Sequence, residues 1–230
     1  MLIYGFDEEL DTGYRRYELP YENYDDFCKV SDPVVLGTTP LSSTWKPLSV
    51  FWIDDRAPEH YAVPSNKYGD ISCFWDFYGC PILSQRAVDI LRPVLTDKVE
   101  FLPLLCDDPN VFALMKVLNI YDYRDVLNEE YSTIVWRPRT KKMIEEGIPR
   151  SFEYSGDHIL IFKENVIEDQ LIFKIQQCGN PDTFVTQQFV DIITQNNLTG
   201  GRFERIYPPM TEELRQQAYE KAMRKRKGRK

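Results

Sequence analysis

The side chains that most often carry out chemistry in proteins are sparse in this sequence. Its two histidines, His60 and His158, have no second histidine or glutamate at a metal-binding spacing. The sequence also lacks a Gly-x-Ser-x-Gly nucleophile turn, a phosphate-binding loop and a dinucleotide-binding glycine pattern. The step Thr199-Gly200-Gly201 is better explained as a helix stop than as a phosphate cradle. We therefore expect a protein that is not an enzyme and that needs no cofactor or metal.

Adjacent carboxylates are the remaining candidates for chemistry. Examples are Asp25-Asp26, Asp54-Asp55, Asp107-Asp108, Glu129-Glu130 and Glu145-Glu146. Such pairs can supply an acid and a base or bind a divalent metal, but they more often cover a solvated loop. Because no nucleophile accompanies them, a metal-dependent hydrolase is the least favoured function.

The five cysteines do not form a Cys-x-x-Cys pair of the kind that structural zinc sites use, and their number is odd. They are Cys28, Cys73, Cys80, Cys106 and Cys178. We expect reduced and mostly buried thiols. The first ten residues do not resemble a signal peptide, and no apolar run approaches the ~20 residues that span a bilayer. A cytoplasmic protein without membrane contact is therefore expected.

The charge of the chain is unevenly distributed. The net charge is -8, but residues 215–230 hold eight Lys or Arg and one Glu, so this end carries +7 and the rest carries -15. An acidic body repels nucleic acid and attracts basic partners. The basic end favours a solvated tail over a nucleic-acid contact, because it lacks interleaved aromatic residues. A nucleic-acid-associated adaptor that uses this tail remains the alternative function.

Hydrophobic periodicity predicts an α+β fold, with a central and mostly antiparallel sheet, helices packed on it and a basic C-terminal helix. One helix is expected after Ser84, which caps it, and should end near Arg92. A second helical stripe follows Thr186 and should end near Asn197. The expected strands are a hairpin of 99–106 and 111–120, a second pair of 158–162 and 171–175, and a last strand at 203–207.

Four segments in order along the chain resemble a known family. They are 78–87 (YGCPILSQRA), 101–104 (FLPL), 117–120 (VLNI) and 198–204 (LTGGRFE). Together they are similar to the eleventh numbered family of polymorphic-toxin immunity proteins. The resemblance implies a non-catalytic protein, encoded beside a contact-delivered or secreted toxin, that protects the producing cell and its kin. One branch of the family is associated with a nuclease toxin.

The resemblance suggests a division of the chain into three parts. Residues 1–70 form a loop- and strand-rich region that belongs to the same fold, 71–208 form the immunity-family core, and 209–230 form a basic C-terminal helix or tail. The implied partner is a cognate toxin, expected to be basic. Nucleic acid is not an expected partner, and a homodimer through the narrow apolar stripe of the tail stays open.

The toxin-binding residues must be predicted from physics, because the resemblance assigns none. Acidic side chains speed the capture of a basic partner, and aromatic side chains anchor it in a desolvated centre. Stretches that mix the two types are Tyr21, Glu22, Tyr24, Asp25 and Asp26; Asp54, Asp55 and Glu59; and Tyr121, Asp122, Tyr123 and Asp125. Core packing is the alternative role of each aromatic residue.

Overall fold

The computed structural model describes residues 1–8, 17–18, 39–52, 69–74, 77–95, 99–106, 116–152, 158–178 and 182–209. The strands in these ranges are β1 (Ile3–Glu8), β2 (Tyr17–Glu18), β3 (Leu48–Trp52), β4 (Ile71–Phe74), β5 (Phe77–Leu83), β6 (Val99–Cys106), β7 (Lys116–Ile120), β8 (Tyr123–Arg124), β9 (Ile172–Ile175), β10 (Thr183–Thr186) and β11 (Gly201–Tyr207). The helices are α1 (Gln85–Leu91), α2 (Lys141–Glu145), α3 (Glu164–Ile167) and α4 (Gln187–Gln195). The predicted α+β class is confirmed. The predicted C-terminal helix lies outside the described residues.

The strands form two sheets. One is open, with the order β11-β1-β10-β9-β8, and only its β8–β9 pair is parallel. The other closes on itself in the order β2-β3-β6-β7-β5-β4, with parallel pairs at β2–β4 and β3–β6. Strand β1 lies inside the open sheet, so the first residues of the chain contribute to the same fold as the last strand. The boundaries drawn at 70 and 208 stay predictions.

The predicted central hairpin is confirmed. Strands β6 and β7 pair in antiparallel fashion, with Val99 opposite Ile120 and Leu102 opposite Val117. Both faces of β7 are covered, since every residue from Val117 to Ile120 is buried. This double coverage is what a run of consecutive apolar residues indicates.

The second predicted strand pair is wrong. Residues 158–162 form isolated bridges with an earlier segment, Ile159 opposite Thr133 and Phe162 opposite Leu127. Strand β9 pairs instead with β10 and β8. The apolar pattern correctly indicated extended chain in both places. It carried no information about which segment lies beside it, because pairing partners are chosen by the tertiary packing.

Two hydrophobic cores cover the two faces of the open sheet. The core between the sheets contains α1 and α4, with Ala87, Leu91 and Phe189 fully buried. The second core lies on the opposite face and includes Phe152 and Phe173. The open sheet is therefore a central layer.

The helix ends follow the predicted signals in part. Ser84 caps α1, and its hydroxyl accepts a hydrogen bond from the backbone N–H of Ala87 at 3.1 Å. Thr186 precedes α4 as expected, but its hydroxyl donates to the carbonyl of Gln170 rather than capping the helix. Beyond α4, Asn197 and Gly200 have positive φ angles of 50° and 94°, which confirms the predicted helix stop.

Candidate functional site

The structure describes one of the three predicted binding groups. Two groups lie outside the described residues: Tyr21, Glu22, Tyr24, Asp25 and Asp26, and Asp54, Asp55 and Glu59. The third group, Tyr121, Asp122, Tyr123 and Asp125, lies at and beside β8, at the edge of the open sheet. All three groups stay predictions as toxin-binding sites.

Asp122 is fully buried and has a structural partner. Both its carboxylate oxygens accept hydrogen bonds from the Nε of Arg124 at 2.9 Å, and the pair is an ion pair at 2.8 Å. The backbone carbonyl of Asp122 also accepts a hydrogen bond from the N–H of Lys174. Removal of one partner of a buried ion pair leaves the other charge uncompensated and destabilises the fold. A substitution at Asp122 would therefore change stability, and its effect on binding could not be separated from that change.

The exposed acid of this group is Asp125, with 57% of its side chain accessible. A hydrogen bond from Gln177 and an ion pair with Lys163 lower the pKa of Asp125. Gln177 also contacts Glu129, which forms an ion pair with Arg150 at 2.8 Å. The acids on this surface thus belong to a network of opposite charges.

The side chain of Tyr123 is partly buried. Burial raises the pKa of its hydroxyl to about 12, so the group stays neutral at physiological pH. Its ring lies 5.9 Å from the Nζ of Lys174, a buried lysine of β9. This position favours the packing role for Tyr123 over the role of a binding anchor.

The carboxylate of Asp70 contacts residues of several separate segments, and the sequence analysis did not single it out. Its carboxylate accepts hydrogen bonds from the hydroxyl of Ser84 at 2.9 Å and the backbone N–H of Thr199 at 3.1 Å. It also forms a 2.7 Å ion pair with Arg86. Arg86 in turn donates to the carbonyl of Asn196 at the end of α4. These contacts join the closed sheet, α1 and the connection into β11.

The contacts of Asp70 give two of the four family-like segments a structural role. Ser84 and Arg86 lie in the first of those segments and Thr199 lies in the last, 113 positions beyond Arg86 by residue number. The backbone N–H and the hydroxyl of Thr199 both donate to the Asp70 carboxylate, which supports a structural role for this turn. Nothing in the sequence around Asp70 marked it, because its partners are distant along the chain.

Removing the Asp70 carboxylate should destabilise the protein. For Asp70→Ala we expect a loss of about 2–4 kcal/mol in the free energy of unfolding, since Arg86 and the Thr199 N–H lose a largely buried acceptor. Asp89→Ala is the control, because Asp89 lies on α1, as Arg86 does, and accepts one exposed hydrogen bond from Gln85. Its expected effect is within about 0.5 kcal/mol. Chemical denaturation measures the unfolding free energy of both variants. Equal losses would contradict the role of Asp70 in joining these segments.

The geometry defines an α+β protein of two packed sheets. Within the described ranges, no three His, Cys, Asp or Glu side chains are grouped so that they could hold a metal ion. The same ranges contain no helix that is both long and apolar enough to cross a membrane. Cys80 and Cys178 are buried, reduced thiols, as the sequence predicted for most of its cysteines.

Comparison with protein families identifies the chain more closely. The model of the immunity protein family (Imm11) matches residues 55–208, which is more than half of the chain. The chain belongs to this family, and the resemblance found in the four short segments is confirmed. A search of curated proteins gives no significant match.

Proposed function

We propose that this protein neutralises a cognate bacterial toxin by binding it and covering its active site or its substrate-binding site. Membership of the immunity protein family is the observation that carries the proposal. The described polar clusters around Asp70 and Asp122 are used to hold the fold together, which supports an inhibitor that works by binding rather than by catalysis.

The charge of the body supports a basic toxin that acts on nucleic acid. Such a toxin needs cationic side chains to contact phosphates, and a body of -15 is complementary to them. Electrostatic attraction raises association rates toward about 10⁸ M⁻¹s⁻¹ at low salt. Fast capture suits an immunity protein, because few free toxin molecules suffice to damage a cell.

The proposal is tested with the toxin encoded next to this chain. Cells that express the toxin should survive when this protein is co-expressed, and the two proteins should co-purify as a complex. The purified complex should lack toxin activity on its substrate. Failure to protect against the adjacent toxin, or turnover of the toxin or its substrate by this protein, would overturn the proposal.

The predicted acidic group at Asp54 and Asp55 gives a sharper test. The double change Asp54→Lys with Asp55→Lys should slow toxin association by at least about tenfold at low salt, with a smaller effect at high salt. Surface plasmon resonance at several salt concentrations measures the rate.

The matched control is Glu168→Lys with Asp169→Lys. These neighbouring acids lie just after α3 and are exposed, so the substitution makes the same change in net charge at a different place. If both double variants slow association equally, the effect belongs to the overall charge, and Asp54 and Asp55 are not part of the binding surface.

A further inference from the structure

Lys174 carries an amine that the fold keeps away from water. Only 1% of its surface is accessible, and its Nζ atom has no hydrogen-bond partner among the described residues. A buried polar group without a hydrogen bond raises the free energy of the folded state, whether it is charged or neutral. A local movement that brings this Nζ atom to water is therefore favoured by Lys174 itself.

The groups around the amine come from three parts of the fold. They are Tyr123 of β8, Cys80 of β5, and Cys178 and Asp182 of the connection between β9 and β10. The ring centroid of Tyr123 lies 5.9 Å from Nζ, and the thiol of Cys178 donates to the Asp182 carboxylate at 3.4 Å. Strand β5 belongs to the closed sheet and β8 to the edge of the open one. Strand β8 is thus the neighbouring strand that can leave the amine at the lower cost.

Strand β8 is short and is held mainly by β9. It has two residues, and its pairing with β9 is parallel, the slightly less stable type. The backbone N–H groups of Lys174 and Gln176 donate to the carbonyls of Asp122 and Arg124, each at 2.9 Å. Short pairs at a sheet edge open at a lower free energy than the central strands of a fold.

Buried residues fix the chain on both sides of β8. Ile120, before it, is fully buried in the core between the sheets, and Val126, after it, is fully buried in the second core. The backbone N–H of Lys163 also donates to the carbonyl of Val126 at 2.8 Å. Movement is therefore confined to residues 121–125, which we name the strap.

The main ion pair of the strap lies within it. Asp122 and Arg124 pair with each other at 2.8 Å, so an opening that moves both residues together leaves neither charge uncompensated. At the end of the strap, Asp125 pairs with Lys163 at 3.2 Å, and both side chains are exposed. Exposed ion pairs contribute little to stability, so this contact is a weak restraint.

We propose that the strap opens locally from β9 and that Lys174 promotes the opening, because its amine reaches water when the strap moves. All four residues of the third predicted binding group, Tyr121, Asp122, Tyr123 and Asp125, lie in the strap. The open form therefore presents Asp122 and Tyr123, which the closed form covers. The opening is a property of this chain alone and does not depend on the toxin.

The pH dependence of the opening has a defined sign. Burial lowers the pKa of Lys174 in the closed form, although Cys80, Asp182 and Cys178 act in the opposite direction. In the open form the amine is solvated, and its pKa approaches the ordinary value of 10.5. Between these two values opening takes up a proton, so it becomes more favourable as the pH falls, by up to about tenfold per pH unit. The thiols, the phenol and the carboxylate around the amine ordinarily keep one protonation state from about pH 6.5 to pH 8.

Amide hydrogen exchange of the full chain, resolved by NMR, tests the opening. The reporters are the amides of Lys174 and Gln176, and the references are those of the β6–β7 hairpin. Reporter protection factors should be at least about tenfold lower than reference values and should depend only weakly on urea, because a local opening exposes little surface. Equal protection in the two sets would show that the strap is released only by global unfolding and would overturn the proposal.

A substitution tests the part that Lys174 plays. Reporter protection in the unaltered protein should fall by up to about tenfold per unit from about pH 8 to pH 6.5. Lys174→Met should raise it at least about tenfold at pH 7 and remove this pH dependence. Lys141→Met is the matched control, since Lys141 lies on α2 and its side chain is 92% exposed, and it should change neither quantity. Reporter exchange that is independent of pH, or equal effects of the two variants, would contradict the role of Lys174.

A second measurement needs no variant. In the unaltered protein an amine-selective acetylating reagent should modify Lys174 at a rate that follows the reporter amides, which mass spectrometry of the peptide measures. Modification no faster than global unfolding allows would show that the amine stays buried when the strap opens, and the proposal would fail.

Discussion

Gly200→Ala is expected to prevent stable folding. Gly200 has a φ angle of 94°, and a Cβ atom at this position would lie 2.0 Å from the backbone carbonyl oxygen of Ile71. Neither atom can move freely, because the N–H of Ile71 donates to the carbonyl of Thr199 and fixes the distance between the two segments. Overlap with backbone in a strained conformation should remove more than about 4 kcal/mol of stability.

The matched control for this prediction is Gly147→Ala. Gly147 also has a positive φ angle, 69°, but no atom lies within 4 Å of a Cβ placed there. The cost should therefore be only that of the left-handed backbone, about 1–2 kcal/mol. Urea denaturation and the yield of soluble protein measure both variants. Similar losses would show that backbone conformation, rather than the contact with Ile71, decides the effect.

Lys174→Met is expected to stabilise the protein by about 1–3 kcal/mol at pH 7. Lys174 is 1% exposed, and its Nζ has no hydrogen-bond partner among the described residues. Burial lowers the pKa of Lys174, although the nearby Cys80, Asp182 and Cys178 act in the opposite direction. Whether charged or neutral, the amine loses hydrogen bonds to water on folding, whereas methionine fills a similar volume without this penalty.

The effect of pH on the same variant has a defined sign. Between the lowered pKa of the folded state and the ordinary value of 10.5, the unfolded chain binds more protons at Lys174 than the folded protein does. The unfolding free energy of the unaltered protein therefore rises with pH in this window. The advantage of Lys174→Met should shrink as the pH rises through this window.

The comparison between the two proteins removes the titrations that Lys174 does not influence. Burial raises the pKa of Cys80 above 9.0, although Lys174 acts in the opposite direction, and burial raises that of Tyr123 to about 12. The two proteins are therefore compared below pH 9, where both groups stay protonated. Lys163→Met is the control, because Lys163 is 38% exposed and paired with Asp125. A loss of stability in Lys174→Met, or a pH-independent gain, would contradict the assignment.

The predictable parts of the fold are those that depend on neighbouring residues. Helix α1 was located by its apolar spacing and by the hydroxyl of Ser84, and both act within one turn. The β6–β7 hairpin was located because its two apolar runs are close along the chain. The family could also be recognised, since its segments keep their order and spacing.

The candidate site was less predictable, because the sequence does not show which polar groups are buried. Asp122 and Asp125 look alike as neighbouring acids beside tyrosines, yet one is inaccessible and the other is 57% exposed. Lys174 stands in an apolar run and was not singled out. The exposure of Val135 was not predicted either, because apolar residues are expected more often in the core than on the surface.

The sequence by itself determined the α+β class, the helix α1 with its cap, the central hairpin and the membership of an immunity family, since these depend on local periodicity and ordered motifs. Only the tertiary structure decided that 158–162 lies beside 127–133, that Asp70 joins separate elements and that Val135 and Ile159 are exposed. Each of these depends on contacts between residues far apart along the chain. Local preferences are too weak to select such partners, so packing of the whole chain selects them.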